Sequence, residues 1–209
     1  MSSDHGDYAG DYGLVEKWPS GLEDCLTHVP LIGRIPGGRP EIVFTEMTEL
    51  FDIMPTLLSL AGTRATHTHF ARSLLPQMHG EAAVGDRAAY TEAGYNSYEP
   101  QAFEPIVQGL YGPKGELEAR IPQSVSRSSS IRTKRYKLIE RPQGVSELYD
   151  CVKDPQLRRN LYEDSAHRSV KADLKDQLLH RYMHVSGVPP LHKDNSELPP
   201  YYETPALGG

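Results

Sequence analysis

Ser3-Asp4-His5-Gly6-Asp7-Tyr8-Ala9-Gly10, followed by Lys17, is the stretch that decides how this 209-residue chain is read. It sets a carboxylate and an imidazole side by side at a Gly-flanked turn, with a lone cation a short way downstream. Adjacent side chains point into one cleft only where the backbone turns sharply at a strand end, and Gly6 is expected to allow that turn through a positive φ. Hard oxygen plus imidazole suits a divalent cation, and a lysine suits a tetrahedral anion held against it. Asp4 and His5 are therefore candidate metal ligands, and Lys17 is the candidate catalytic cation. On their own terms Asp4 also reads as a turn residue, His5 as a solvated histidine and Lys17 as a surface partner for Glu16.

Outward from this stretch, Trp18-Pro19-Ser20-Gly21 is a turn cluster, and Val29 to Ile35 is a short apolar run broken by Pro30. Glu41 to Thr45 reads as a strand. Leu50, Phe51, Ile53, Met54, Leu57, Leu58 and Leu60 recur at near-helical spacing, with Asp52 as cap, Pro55 in the first turn and Gly62 as stop. That helix is broadly apolar and should pack against a sheet. Ala88 to Ala93 is a strand, and 95–128, rich in Tyr, Pro, Gly and Ser, is a long loop or short hairpin. Arg132 to Ile139 and Glu147 to Tyr149 form a hairpin, within which KRYK (134–137) suggests an exposed strand face. Ser165 caps an amphipathic helix to Val185, with Val170, Leu174, Leu178, Leu179 and Met183 as its buried stripe. The tail from Pro189 is expected to be extended and poorly ordered.

Composition narrows the function classes. Net charge is −6 with no dense basic block, so no nucleic-acid partner is expected. No apolar run approaches the ~20 residues of a membrane helix, and no signal peptide follows Met1, so no membrane is expected and a cytoplasmic location is the default. Cys25 and Cys151 read as free buried thiols.

An ordered series of segments carries a resemblance to the sulfatase family within the alkaline-phosphatase superfamily. The segments are SDHGDYAGDYGLVEK (3–17), THVPLI (27–32), ELFDIMPTLLSLAG (49–62), RSLLPQMHG (72–80), SIRTKRYKLI (130–139) and ELYDCVKDPQLRRNL (147–161). The resemblance covers roughly residues 3 to 185. It implies an α/β fold: an alkaline-phosphatase-like mixed sheet, present in part, then a small antiparallel sheet with a C-terminal helix. The implied divisions are 1–85 (part of the catalytic α/β domain), 86–188 (the C-terminal subdomain) and the tail 189–209.

In such enzymes Asp4 and His5 would share one divalent ion, Ca²⁺ by family with Mg²⁺ or Mn²⁺ as alternatives, and Lys17 would contact a sulfate oxygen. The implied substrate is a sulfate-ester small molecule or carbohydrate. Neither cysteine matches the family's nucleophile motif, Cys-x-Pro/Ala-x-Arg, so the chain is expected to be a C-terminal portion that does not turn over alone. A complementary N-terminal chain or a homo-oligomer is the implied macromolecular partner. A phosphodiesterase or phosphonate hydrolase, or a non-catalytic binding fragment, would use the same residues.

Tyr12 stands where many sulfatases have histidine. Asp7 or Asp11 could orient His5, though turn chemistry explains both as well. His67 and His69 share a side at i and i+2 but lack a third ligand nearby. His28 reads as packed beside a strand. Arg127 and Arg132 more simply balance Glu residues across the hairpin than meet substrate. Tyr95, Tyr98, Phe103 and Tyr111 would wall a cleft or cover the core.

Overall fold

Four short runs, Ala89–Ala93 (β3), Ser128–Arg132 (β4), Tyr136–Glu140 (β5) and Glu147–Asp150 (β6), form an antiparallel sheet in the order β3-β4-β5-β6. A computed structural model of the chain describes residues 1–82, 85–96, 109 and 112–186. Tyr98, Phe103, Tyr111 and the tail 189–209 lie outside the described residues. The register pairs Tyr90 with Ile131, Ile131 with Leu138, and Leu138 with Leu148, so one apolar row crosses the sheet. Ile131, Leu138 and Leu148 are fully buried. The fold is mixed α/β, as the resemblance implies, with this sheet followed by the long helix α5 (Arg168–Val185).

Contact density divides the chain into two units: Met1–Ile32 with Ala89–Lys175, and Gly33–Ala88 with Asp176–Gly209. In the first, the hairpin β1 (Tyr8–Ala9) and β2 (Val15–Glu16) precedes the short helix α1 (Asp24–Thr27). Trp18 Nε1 and Ser20 Oγ both donate to the Ser124 carbonyl, at 2.7 and 2.6 Å. Arg141 Nη1 donates to the Ser20 carbonyl at 2.6 Å. These bonds tie residues 18–20 to the segments that flank β4 and β5.

KRYK is not an exposed face. Lys137 is 1% exposed and donates to Asp24 Oδ1 at 2.6 Å and Thr27 Oγ1 at 3.2 Å. Arg132 also turns to Asp24, at 3.5 Å, rather than to a glutamate across the hairpin. The 112–120 stretch, expected as loop, is the helix α4 (Gly112–Arg120). Its Gly, Pro and charged residues mask a helical pattern. A 3₁₀ turn, Ser165–His167, leads into α5 and is capped by Asp164, which accepts from the Ala166 N–H, and not by Ser165. Leu174 and Leu178 are buried on it, but Leu179 and Met183 are more than half exposed, so its apolar stripe is narrower than expected.

The second unit is organised around carboxylates. Residues Leu50–Asp52 form a 3₁₀ turn that runs into α2 (Ile53–Leu60), and Gly62, at φ 66°, ends it as expected. Asp52 does not cap by the expected N–H bond into the helix. It closes a capping box with Glu49 instead, accepting the Glu49 N–H at 3.0 Å, and it accepts the Arg72 N–H at 2.8 Å. Helix α3 (Leu75–Met78) follows. The expected strand 41–45 is absent: Glu41 sits at φ 58° and Val43 is 84% exposed.

Arg87 holds this corner together. Its guanidinium pairs with both Glu49 and Asp52, whose side chains are 7% and 0% exposed. Removing one partner of a buried pair leaves uncompensated charge, at about 3–5 kcal/mol. Arg87→Ala should therefore lower the unfolding free energy by that order, read as a lower urea midpoint at unchanged slope, whereas Arg64→Ala should not. An unaltered midpoint for Arg87→Ala would show that Arg87 does not hold this corner.

Candidate functional site

The loop holding Asp4 and His5 is fixed from below by α1. The Gly6 N–H donates to the Leu26 carbonyl at 2.9 Å. Gly6 does not use a positive φ; that conformation belongs to Gly10 (107°) and Gly13 (74°) in the following turn. Gly6 is required for close approach instead, since a Cβ there would sit 1.9 Å from the Cys25 carbonyl oxygen. So the turn residue was legible in the sequence, but its reason was misread.

The structure brings the three candidates together. His5 Nε2 lies 3.8 Å from Asp4 Oδ2 and 3.5 Å from Lys17 Nζ. His5 Nδ1 lies 2.7 Å from the Gly6 carbonyl oxygen. A carbonyl only accepts, so Nδ1 carries the proton and Nε2 keeps its lone pair toward Asp4 and Lys17. The Gly6 carbonyl, not Asp7 or Asp11, orients the ring. Backbone hydrogen bonds at Asp4 and from the His5 N–H, followed by the His5 ring, hold the Asp4 carboxyl below its ordinary value. Lys17 does not pair with Glu16, which is bound by Lys114 at 3.2 Å.

Asp4 is 87% and His5 41% exposed at the side chain, so the trio lies on open surface. A cleft of about 690 Å³ is lined by Gly10, Asp11, Tyr12, Asp24, Cys25 and the 155–158 loop, and by none of the three. Tyr12, at φ 54°, crosses it to donate to the Gln156 carbonyl at 3.3 Å. Among the described residues no group of three His, Cys, Asp or Glu side chains is arranged to hold a metal. Asp4 and His5 fit a divalent cation as two donors of a larger set: one hard oxygen, and one imidazole nitrogen in the ligating tautomer.

The other candidates stay apart. His67 and His69 stack edge to face with centroids 6.2 Å apart. His28 is exposed and closes α1, rather than packing beside a strand. Both cysteines are free, Cys25 half-buried and Cys151 buried. Burial raises the Cys25 thiol and pushes that of Cys151 up to about 11. Neither is an activated nucleophile. Two residues that the sequence did not mark place α1, and hence the loop: Lys137 and Asp24. A lysine at a strand position facing an apolar row was the available signal.

A family described as "N-sulphoglucosamine sulphohydrolase, C-terminal" matches residues 117–184. The chain is 28% identical over 178 residues to the "Uncharacterized sulfatase YidJ" of Escherichia coli K12, covering 85% of this chain and 30% of the relative. It is 27% identical over 179 residues to the "Delta 4,5-hexuronate-2-O-sulfatase" of Bacteroides thetaiotaomicron, covering 83% and 32%. Among solved structures it resembles the phosphonate monoester hydrolase of Agrobacterium radiobacter, with TM-score 0.69, 28% identity, and coverage of 88% of this chain and 34% of that one. The chain thus spans about a third of the length of the curated relatives it matches.

Two tests follow from the geometry. Lys137→Ala removes the nearer of the two cations on Asp24, leaving Arg132 at 3.5 Å, and should loosen α1, so the His5 ring resonances should lose their single, Nδ1-protonated signature in ¹⁵N spectra while Lys153→Ala preserves it. An unchanged His5 spectrum in Lys137→Ala would break the proposed link. For Cys151, a thiol raised from the ordinary 9.0 to about 11 stays protonated in the fold after it ionises in the unfolded chain. Stability should therefore decline between those pH values, and native alkylation of Cys151 should accelerate only near pH 11. Rapid labelling at pH 8 would contradict its burial.

Proposed function

We propose that this chain, which belongs to the sulfatase family as a C-terminal portion, contributes a cation-and-anion cradle to the hydrolysis of sulfate esters. The observation that supports this most is the convergence of Asp4, His5 and Lys17, with His5 Nε2 facing both the Lys17 ammonium at 3.5 Å and the Asp4 carboxylate at 3.8 Å. Asp4 and His5 would hold the divalent ion, Ca²⁺ by family with Mg²⁺ or Mn²⁺ as alternatives. Such an ion supplies charge stabilisation for the ester oxygens. Lys17 places a fixed ammonium where negative charge accumulates on those oxygens. The Gly6 carbonyl keeps the His5 proton on Nδ1, so the ring presents a lone pair and not a hydrogen.

The substrate in this reading is a sulfate-ester small molecule or carbohydrate. The attacking group and the remaining ligands would come from outside residues 1–209, because neither Cys25 nor Cys151 lies in a Cys-x-Pro/Ala-x-Arg motif and both thiols are raised. The likeness to a phosphonate monoester hydrolase favours a second reading, in which the same cradle serves a phosphonate or phosphodiester. Neither nucleic acid nor membrane enters either reading.

The chain alone should release no sulfate from an aryl sulfate above the uncatalysed background. Mn²⁺ or Ca²⁺ should bind weakly by calorimetry, at about millimolar strength or below for two side-chain ligands. Asp4→Ala and His5→Ala should each abolish that heat, and Cys151→Ser should not. Robust sulfate release by the unaltered chain would refute the claim that attack needs groups from elsewhere. Metal binding that survives Asp4→Ala/His5→Ala would remove the cradle.

A further inference from the structure

The turn that closes the β1–β2 hairpin and the loop 155–158 form the two walls of the cleft of about 690 Å³, all within the first unit. Each wall holds a non-glycine residue in the left-handed region: Tyr12 at φ 54° and Leu157 at φ 53°. A residue with a Cβ resists that conformation, which persists where the surroundings enforce it and is commonest around ligand sites. Here the surroundings do enforce it. Leu157 is buried, and its N–H donates to the Asp154 carbonyl at 3.0 Å. The Tyr12 ring meets the buried Tyr8 ring edge to face, with centroids 6.2 Å apart. Tyr12 is still 55% exposed, so an anchored aromatic surface is left open at the cleft.

The charges that line the cleft differ in whether they are already used. Asp24 is bound by Lys137 and Arg132. Asp11 and Arg158 line the same space, yet among the described residues neither side chain has a hydrogen-bond or ion-pair partner. A carboxylate and a guanidinium that share a cleft without closing on each other leave acceptors and donors for a third group. Gln156 adds a carboxamide to the lining. An aromatic surface, an acceptor, an amide and a forked cation together suit a hydroxylated ring that carries an acidic substituent.

We infer that this cleft is a subsite for an acidic saccharide, in which Tyr12 carries the sugar ring, Asp11 accepts from its hydroxyls and Arg158 clasps a carboxylate or sulfate on it. Arg158 is then a specificity-determining residue. Ala9, which lines the cleft, is four residues from His5, so their Cα atoms are at most about 14 Å apart. A short saccharide esterified at the cradle reaches that far on its alcohol side. The subsite rests on the sulfate-ester reading for its place in a reaction, while its binding of the sugar does not.

The test is titration of the 209-residue chain with cellobiose, cellobiouronic acid and cellobiose 6′-sulfate, followed by backbone amide shifts. A chelator and no added metal keep the cradle's cation out of the measurement. At least one acidic disaccharide should bind at about millimolar strength and shift the amides of 10–12 and 156–158, with cellobiose at least tenfold weaker. Binding of either acidic sugar supports the subsite, and the tighter of the two identifies the substituent. Arg158→Ala should reduce the acidic sugar to the level of cellobiose, Arg158→Lys should recover part of the loss, and Arg159→Ala should change nothing. Both arginines are exposed, so neither replacement removes a buried contact, and unchanged shifts elsewhere check the fold. Absence of shifts with both acidic sugars overturns the inference, as does equal affinity for cellobiose or binding that survives Arg158→Ala. Shifts at residues 4, 5 and 17 in place of the cleft would put the sugar at the cradle and also overturn it. So would tighter binding of 4-nitrophenol, which would assign the cleft to an aryl group. Calorimetry with Mn²⁺ on Arg158→Ala keeps the two readings apart: the cradle's weak heat should persist there, and its absence from the unaltered chain would remove the cradle without touching the sugar titration.

Discussion

The ammonium of Lys137, 1% exposed and 2.6 Å from Asp24, is the interaction on which the first unit depends. A buried lysine is stable only when its charge is compensated and its protons are bonded. Asp24 and Thr27 do both, and both belong to α1. Four helical residues have no intrinsic stability. The sheet therefore holds α1 through a charge on β5, and Arg132 on β4 adds a second cation to the same carboxylate. From α1 the constraint passes to the Leu26 carbonyl, then to the Gly6 N–H, then to Asp4 and His5. A strand at residue 137 thus sets the position of an imidazole at residue 5.

This chain of contacts explains which parts of the molecule could be read from sequence. The strand at 147–150, the long C-terminal helix and the Gly62 stop follow local rules and appear where periodicity and turn chemistry put them, whereas the expected strand 132–139 is split by a turn at 133–135 between β4 and β5. Asp4, His5 and Lys17 were legible as a set because their residue types share one chemistry. What failed was non-local. KRYK reads as a polar face because lysine is seldom buried, and only a carboxylate more than a hundred residues earlier in sequence makes the burial of Lys137 affordable. Gly6 reads as a left-handed turn residue because that is glycine's commonest use, while its actual constraint is the Cys25 carbonyl, which no local pattern announces. The 41–45 run failed as a strand because no partner pairs with it among the described residues.

The two units use buried charge in the same way. In each, an arginine or lysine far along the chain clasps carboxylates at the start of a short helix: Lys137 and Arg132 on Asp24, and Arg87 on Glu49 and Asp52. Such clasps contribute less stability than an apolar core of equal volume, but they fix geometry because misplacement strands a charge. A helix fixed by charge can leave its leucines facing outward.

Electrostatics within the cradle carries the functional argument one step further. Lys17 Nζ sits 3.5 Å from the one lone pair that His5 can offer. A cation bound at that lone pair and an ammonium at that distance repel one another unless negative charge lies between them. Asp4 supplies one such charge, but its side chain is 87% exposed and solvated. An ester oxyanion between the two cations would relieve the repulsion from both sides at once. The arrangement is therefore better matched to an anion bound together with a cation than to either alone.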